Sequence, residues 1–429
     1  MLTRPYVAAY RLAATALGPI APALLQWRRR QGKEDPRRLR ERLAMPGLPR
    51  PEGQLAWLHG ASVGEGLALL PLVERLTARG FNVLMTTGTV ASPAVLATRL
   101  PAGAFHQYVP LDVPKFVERF LAHWRPDIVL FAESELWPNM IAAVDESGVP
   151  LVMVNARLSE RSFRRWQKAP GFIHEMLDRF DICLAQTQGD AARLMQLGAA
   201  RVLVAGNLKY DVPPPPADGA AVAQLSGQIG ARPVWVAAST HDGEEEIVFA
   251  VHRALAERFP TLLTILAPRH APRGDAIAAL GRARGLNLAQ RSKGEALDRD
   301  TQIYLADTMG EIGLFYRLTS AVYVGKALAG GGGGQNPIEP AKLGAAILHG
   351  PQVQNFEEVY EALDASGGAR IVADADALTH ELRALLSTPS DLRKMARAAA
   401  DAVDALGGAA QRVESALEPY FAQMLIERR

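Results

Sequence analysis

Short apolar runs that each end in small or polar residues recur along this chain, and they restrict its fold more than any other feature. From Ala56 onward the runs AWL, NVLMTTGT, IVLFAES, PLVMVNAR, ICLAQT and RVLVAGN alternate with amphipathic stretches such as ASPAVLATRL and PNMIAAVDESG. Runs that are apolar throughout suit strands buried on both faces, and such strands lie parallel only when helical crossovers join them. The alternation therefore predicts βαβ units and a doubly wound sheet. After KYDVPPPPADG the pattern restarts with PVWVAAST, LLTILAPR, QIYLADT, SAVYVGKA, GAAILHG and ARIVAD, with GEEEIVFAVHRALAERF among the intervening helices. Pro213 to Pro216 can continue neither a helix nor a central strand, and they favour a stiff, extended connection. The predicted class is α/β, with two Rossmann-like domains whose strand carboxyl ends face a cleft. Ligands of such sheets bind at those ends.

A length of 429 residues suits two cores rather than one. The expected organisation is a membrane anchor and basic flank over 1–48, a first Rossmann-like domain over 49–210 and a proline-rich linker over 211–218. A second Rossmann-like domain follows over 219–408, and an amphipathic helix over 409–429 packs back on the first. Between Tyr6 and Trp27 the segment YVAAYRLAATALGPIAPALLQW carries one charge, Arg11. Its length is close to the roughly 20 residues that cross a bilayer. Gly18, Pro19 and Pro22 make it a poor continuous span, and RRRQGKEDPRRLRER after it suits anionic headgroups. It reads as an anchor that either spans or lies in the interface, with the rest cytoplasmic. No cleavage site argues for a removed signal peptide. The competing reading is a buried helix of the first domain.

Several classes are excluded. A net charge of +2 makes no case for nucleic acid. The single cysteine, Cys183, rules out a disulfide framework and a cysteine-built zinc site, and RFDICLAQT reads as a buried strand. Histidines do not pair at metal spacing, and no Asp-x-Asp stands at a strand end, so no catalytic metal is expected. No G-x-G-x-x-G follows the first strand of either half, which argues against a dehydrogenase.

Candidate site residues gather at the predicted strand ends. In AWLHGASVGEG the carboxylate of Glu65 stands where strand gives way to helix, among residues too small to cover it. Its alternative role is an acid complementing a helix dipole. In GKALAGGGGGQNPIEPAKLG, Gly330 to Gly334 allow close backbone approach, and a helix starting near Pro337, with Glu339 inside it, suits a phosphate. ADTMGEIGLFY places Thr308 at capping-box distance from Glu311, and Gly310 permits ligand approach. In LAPRHAPRG, Arg269 and His270 suit a phosphate or a base edge. ASTHDGEEE puts Glu244 to Glu246 in a first helical turn, read as solvated caps, while Ser239, Thr240 and His241 face the cleft. Glu133 and Glu135 end a strand. Arg157, Arg161, Arg164, Arg165 and Lys168, with Trp166 among them, form either a solvated face or a surface for lipid phosphates.

The motifs GASVGE, ESELWPN, NARLSERS, GNLKYD, ASTHDGEE, PRH, DTMGE and GGGQNPIEPAKLG occur in this order. Together they closely resemble the 3-deoxy-D-manno-octulosonic acid (Kdo) transferases of lipopolysaccharide synthesis, over nearly the whole chain. The resemblance implies a glycosyltransferase B-type fold, CMP-Kdo as donor substrate, no cofactor, and a lipid A precursor as acceptor. It places the reaction at the cytoplasmic face of the bacterial inner membrane, with no nucleic acid partner. The first domain would hold the acceptor and the second the donor. Glu65 matches the family's catalytic base. Pro268, Arg269 and His270 match the motif near the cytidine, and Met309, Gly310 and Glu311 match a loop lining the nucleotide pocket. Asn336 and Glu339 match the phosphate and ribose end.

One departure stands out. Gly333, Gly334, Gln335 and Asn336 occupy positions where many members read GGHN, and glutamine is never cationic. Lys326 and Arg269 are candidates to supply the charge, although VGKALAGG itself replaces the commoner VGGSL. The expected mechanism is inverting and metal-independent. Glu65 takes a proton from the acceptor hydroxyl, and glycine-loop amides with cationic side chains stabilise the leaving phosphate. Lys209 either reaches the Kdo carboxylate or salt-bridges the domains. Glu133, Arg157 and Arg161 are possible acceptor contacts. The alternatives are a nucleotide-sugar epimerase of the same fold and a membrane-tethered nucleotide-binding protein without turnover.

Overall fold

The computed structural model describes residues 5–329 and 331–427, apart from the side chain of residue 427. The chain divides into two compact units. One runs to Val212 and resumes at Gly407, and the other is Pro213–Leu406.

The first unit is built on seven strands: β1 (Leu55–His59), β2 (Asn82–Thr87), β3 (Ala104–Tyr108), β4 (Ile128–Ala132), β5 (Leu151–Ala156), β6 (Ile182–Ala185) and β7 (Val202–Val204). They pair in parallel in the order β3-β2-β1-β4-β5-β6-β7. Alternate residues of one strand serve different cores. Leu55, Trp57, Val129 and Phe131 pack on one face, and Ala56, Leu58, Ile128 and Leu130 on the other. Both faces are therefore dry, which explains why these runs are apolar without alternation.

The second unit repeats the plan with β8 (Val234–Thr240), β9 (Leu263–Pro268), β10 (Leu288–Gln290), β11 (Ile303–Leu305), β12 (Ala321–Val324), β13 (Ala346–His349) and β14 (Ala369–Ile371). These too are parallel, in the order β10-β11-β9-β8-β12-β13-β14. β3 and β10 are the two strands absent from the sequence reading. Each is an edge strand, where one flank lacks a neighbour and a continuous apolar run is not required.

Two segments differ from expectation. The prolines do not form a free linker: they belong to the second unit, where Arg317 donates to the carbonyl of Pro215 at 2.7 Å. Gly313 packs so closely on Pro215 and Pro216 that a Cβ there would lie 2.5 Å from both carbonyl oxygens.

Residues 5–48 are likewise part of the first unit rather than a separate anchor. Two helices, Pro5–Leu17 and Ala21–Arg30, are divided by a 3₁₀ turn at Gly18–Ile20, where the proline at position 19 enters. Buried Glu175 accepts the N–H groups of Tyr6 and Val7, and Arg11 binds Glu146 at 3.0 Å and Glu118 at 3.2 Å. The basic flank is folded in as well, with Arg28 and Arg42 both on Glu34. Yet the outer face stays apolar: Leu12 is 75% exposed, Ile20 59% and Trp27 56%. It is neither a buried core helix nor a detached one.

The C-terminal helix Ala409–Glu427 buries Val413 and Leu417 in the first unit, and Arg75 and Arg79 bind its Glu414.

Candidate active site

In a doubly wound sheet the crevice opens where neighbouring strands send their connections to opposite faces. That happens between β1 and β4 in the first unit and between β8 and β12 in the second. Four non-glycine residues with left-handed backbone sit at or just past strand carboxyl ends: Glu133 (φ 51°), Asn155 (51°), Ser239 (55°) and Lys326 (62°). Such conformations cost roughly 1–3 kcal/mol each and persist where surrounding contacts enforce them. Both sets of candidate residues gather at these points.

In the first unit Glu65 is the third residue of the helix Val63–Ala78, which Ser62 caps. Its carboxylate accepts Ala61 N–H at 2.6 Å and the Ser62 hydroxyl at 2.9 Å. The capping geometry leaves each carboxylate oxygen a second acceptor site. Gly60 is required beside it, since a Cβ there would stand 2.9 Å from the Glu65 Cβ. Burial raises the pKa of Glu65 above the usual carboxylate range. The Ser62 bond opposes this, and the negative charges of Glu135 and Glu133 add to it.

Glu135 accepts the Trp137 indole N–H at 2.6 Å and lies 3.4 Å from Nε2 of fully buried His59. Burial pushes its pKa up, but the His59 and Trp137 contacts outweigh that and hold it low. His59 was not singled out in the sequence, although it immediately precedes GASVGE. Its Nδ1 side is held by Thr86.

Lys209 binds Glu133 at 2.7 Å. This corrects the expected bridge between domains, because both residues lie in the first unit. The turn carrying Lys209 is set by Asn155, whose side chain accepts Leu208 N–H at 2.9 Å. Arg157 is exposed just after β5, and Arg161 is exposed in the helix Glu160–Trp166. Glu133 and Arg157 line one small hollow with Ser134 and Leu136.

In the second unit, side chains from three loops meet. The rings of His241 and His270 are in edge contact at 5.5 Å, and Gln335 Nε2 is 3.0 Å from His241 Nε2. Burial lowers the pKa of His241. Glu244 opposes this, while Lys326, His270 and Arg269 lower it further. Arg269 and His270 are exposed just past β9, where Arg269 N–H donates to the Thr240 carbonyl. Among the described residues the guanidinium of Arg269 and the ammonium of Lys326 have no ion-pair partner, so both are available to an anion.

Three expectations are corrected here. Gly333, Gly334 and Gln335 do not offer their amides. The N–H groups of Gly333, Gly334 and Gln335 donate to the carbonyls of Gln352, Lys326 and Gly325. The glycines serve close packing within the protein: a Cβ on Gly333 would lie 2.6 Å from the Asn355 amide, and Gly333 itself has φ 106°. Thr240 is not a ligand-facing residue. It is fully buried, and its hydroxyl donates to Glu245 at 3.0 Å. Glu244 and Glu245 are buried rather than solvated, and only Glu246 is exposed, on Arg284.

The remaining candidates are spread along neighbouring loops. Met309 is 71% exposed, and Gly310 has φ 83° with open space around it. Glu311 is bound by Arg291 and by the Thr308 hydroxyl, so it is a structural anchor of this loop. Arg291 is the largest cause holding the Glu311 pKa down. Asn336 accepts Ile338 N–H and starts the helix Ile338–Lys342, which carries half-buried Glu339 in its first turn. Pro268 ends β9. Cys183 is buried, with its thiol pushed up to about 12 by burial. Among the described residues no group of three or more His, Cys, Asp and Glu is placed to hold a metal ion.

Two Rossmann-type units in one chain define the glycosyltransferase B class of fold. A solved UDP-GlcNAc 2-epimerase from Neisseria meningitidis shares it with a TM-score of 0.58 at 14% identity, covering 86% of this chain and 100% of that one. A family model described as 3-deoxy-D-manno-octulosonic-acid transferase matches residues 37–212. The 3-deoxy-D-manno-octulosonic acid transferase of Bordetella pertussis is 35% identical over 428 residues, 96% of this chain and 99% of that protein. The enzyme of the same name from Haemophilus influenzae is 33% identical over 400 residues, 90% of this chain and 91% of its own. The chain belongs to the 3-deoxy-D-manno-octulosonic acid transferase family and is a glycosyltransferase.

Proposed function

We propose that this glycosyltransferase moves Kdo from CMP-Kdo to a hydroxyl of a lipid A precursor, with inversion and without a metal or cofactor. The observation that carries this reading is the Glu65 carboxylate: held by Ser62 and Ala61 at a switch point, with its proton affinity raised by burial and by Glu135 and Glu133. As the acceptor oxygen bonds to the anomeric carbon of Kdo, Glu65 takes the hydroxyl proton. The bond from that carbon to the phosphate breaks, and CMP leaves with the electron pair. General-base assistance of this kind contributes about 10²–10⁴-fold. The second unit supplies the donor site in this reading. Lys326 and Arg269 carry the charge that stabilises the leaving phosphate, with His241, His270 and Gln335 beside them, in the role first expected of the glycine amides.

The N-terminal helices support a seat on the cytoplasmic face of the inner membrane. Their exposed Leu12, Ile20 and Trp27 would enter the headgroup region, while Arg11 and Glu175 keep the helices fastened to the first unit. Pro5–Arg30 is also long and apolar enough to cross a bilayer by composition alone, but the break at Gly18–Ile20 and the Arg11 ion pairs favour lying in the interface.

Incubating the full chain with CMP-Kdo and a lipid A precursor, followed by mass analysis of the lipid, tests the reading. A lipid heavier by one or more Kdo units, lost in Glu65→Gln by about 10²-fold or more with CMP binding retained, is the expected result. A fall of less than tenfold in the variant removes the base.

A further inference from the structure

Two adjacent carboxylates at the head of the helix Glu244–Ala256 are almost fully enclosed, 0% exposed at Glu244 and 2% at Glu245. Acids are rarely buried unless their partners are complete, and these partners reach in two directions. Glu244 Oε2 accepts Lys326 N–H at 2.7 Å and His241 N–H at 2.9 Å. Its Oε1 accepts Tyr323 Oη–H at 2.9 Å, Ala327 N–H at 3.1 Å and Leu328 N–H at 3.2 Å. Five donors on one carboxylate fasten the start of the loop after β12 to the end of β8. Gly325 permits the approach, because a Cβ there would lie 2.8 Å from Glu244 Oε2. The same loop is closed by Gly334 N–H on the Lys326 carbonyl and Gln335 N–H on the Gly325 carbonyl.

Glu245 points to the other neighbour. It accepts the Thr240 hydroxyl at 3.0 Å and both terminal nitrogens of Arg273, at 2.7 and 3.1 Å. Arg273 closes the turn after β9, its N–H donating to the carbonyl of His270.

We infer that Glu244 and Glu245 are positioning residues for the donor site: Glu244 sets the loop bearing Lys326 and Gln335, and Glu245, through Arg273, sets the turn bearing Arg269 and His270. This rests on the second unit being the donor site. Neither acid touches the donor. Both act by fixing where cations from β9 and β12 stand relative to His241 after β8, beyond the backbone bonds of Arg269 N–H to the Thr240 carbonyl and Gly325 N–H to the Ala238 carbonyl.

The sign of the effect separates this from its rivals. Removing a negative charge beside an anion site tightens anion binding by simple electrostatics, whereas loss of positioning weakens it. The test uses the full chain, with CMP affinity by calorimetry and melting temperature measured in parallel for Glu244→Gln, Glu245→Gln and Tyr323→Phe. Glu244→Gln puts an amide N–H against N–H donors, and CMP binding is expected to weaken by about tenfold or more. Glu245→Gln loses its ion pair with Arg273, and Tyr323→Phe removes one of the five donors without touching an acid. Each is expected to weaken CMP binding by about threefold. KM for the lipid acceptor stays unchanged. Binding that is unchanged or tighter in the variants overturns the inference, as does a lowered melting temperature with CMP affinity intact. Should Glu244→Gln fail to fold, the other two variants decide. Failure of the unmodified chain to bind CMP overturns the donor-site reading itself, which is a different outcome.

Discussion

Gln335 Nε2 lies 3.0 Å from Nε2 of His241, so an amide nitrogen that can only donate meets an imidazole nitrogen that must accept. With the amide nitrogen on this side the contact suits a neutral His241 whose proton is on Nδ1, and burial with the nearby cations lowers the pKa of that ring. Gln335 is therefore joined to a histidine from another loop.

Changing Gln335→His adds a group that titrates near neutrality where none stood. CMP affinity measured calorimetrically between pH 6 and 8 is expected to fall more steeply with rising pH in the variant than in the unmodified chain. Equal slopes would show that this position does not address the phosphate.

The acid limb of the rate profile belongs to Glu65 in the proposed mechanism. Its pKa is raised, so activity falls on acidification at a pH above the ordinary glutamate range. Replacing Glu135→Gln removes a like charge that disfavours ionisation of Glu65, so the acid limb should move to lower pH. Product formation followed across pH 4 to 8 gives the comparison. A limb that stays in place would detach Glu135 from Glu65 or the limb from the base.

The apolar outer face of the N-terminal helices yields a separate expectation. The triple change Leu12→Asp, Ile20→Asp and Trp27→Ser removes three exposed apolar side chains while leaving Arg11 and its acids in place. Burying each such side chain contributes about 1.5–3 kcal/mol, so co-sedimentation with anionic phospholipid vesicles should weaken by at least tenfold. Transfer to a detergent-dispersed acceptor should persist. Undiminished vesicle binding would place the membrane contact elsewhere.

What was legible in the sequence follows from how the information is carried. β1, β4, β5, β8, β9 and β12 are central strands flanked by helices, so both faces are buried and a mostly apolar run announces itself. β3 and β10 lie at edges and escape that rule. The position of Glu65 between strand and helix was legible because its small neighbours on both sides are local features. Lys209 was not, because its partner Glu133 lies far away in sequence, and nothing local to GNLKYD points to it. His59 was passed over for the same reason, its partners Thr86 and Glu135 being supplied by β2 and the end of β4.

The sequence by itself determined the two parallel sheets, the family and the strand-end loops on which the candidate residues stand, because hydrophobic periodicity and short motifs are written along the chain. Only the tertiary structure decided which polar groups remain available. GEEE contains three consecutive acids, and burial of the first two turns them from solvated caps into anchors for loops from other strands. GGQ at 333–335 looks like part of a phosphate cradle until the carbonyls of Gln352, Lys326 and Gly325 are seen to take its amides. A donor or acceptor can serve a ligand only when no closer partner holds it, and partners far apart in sequence are chosen by the folded backbone.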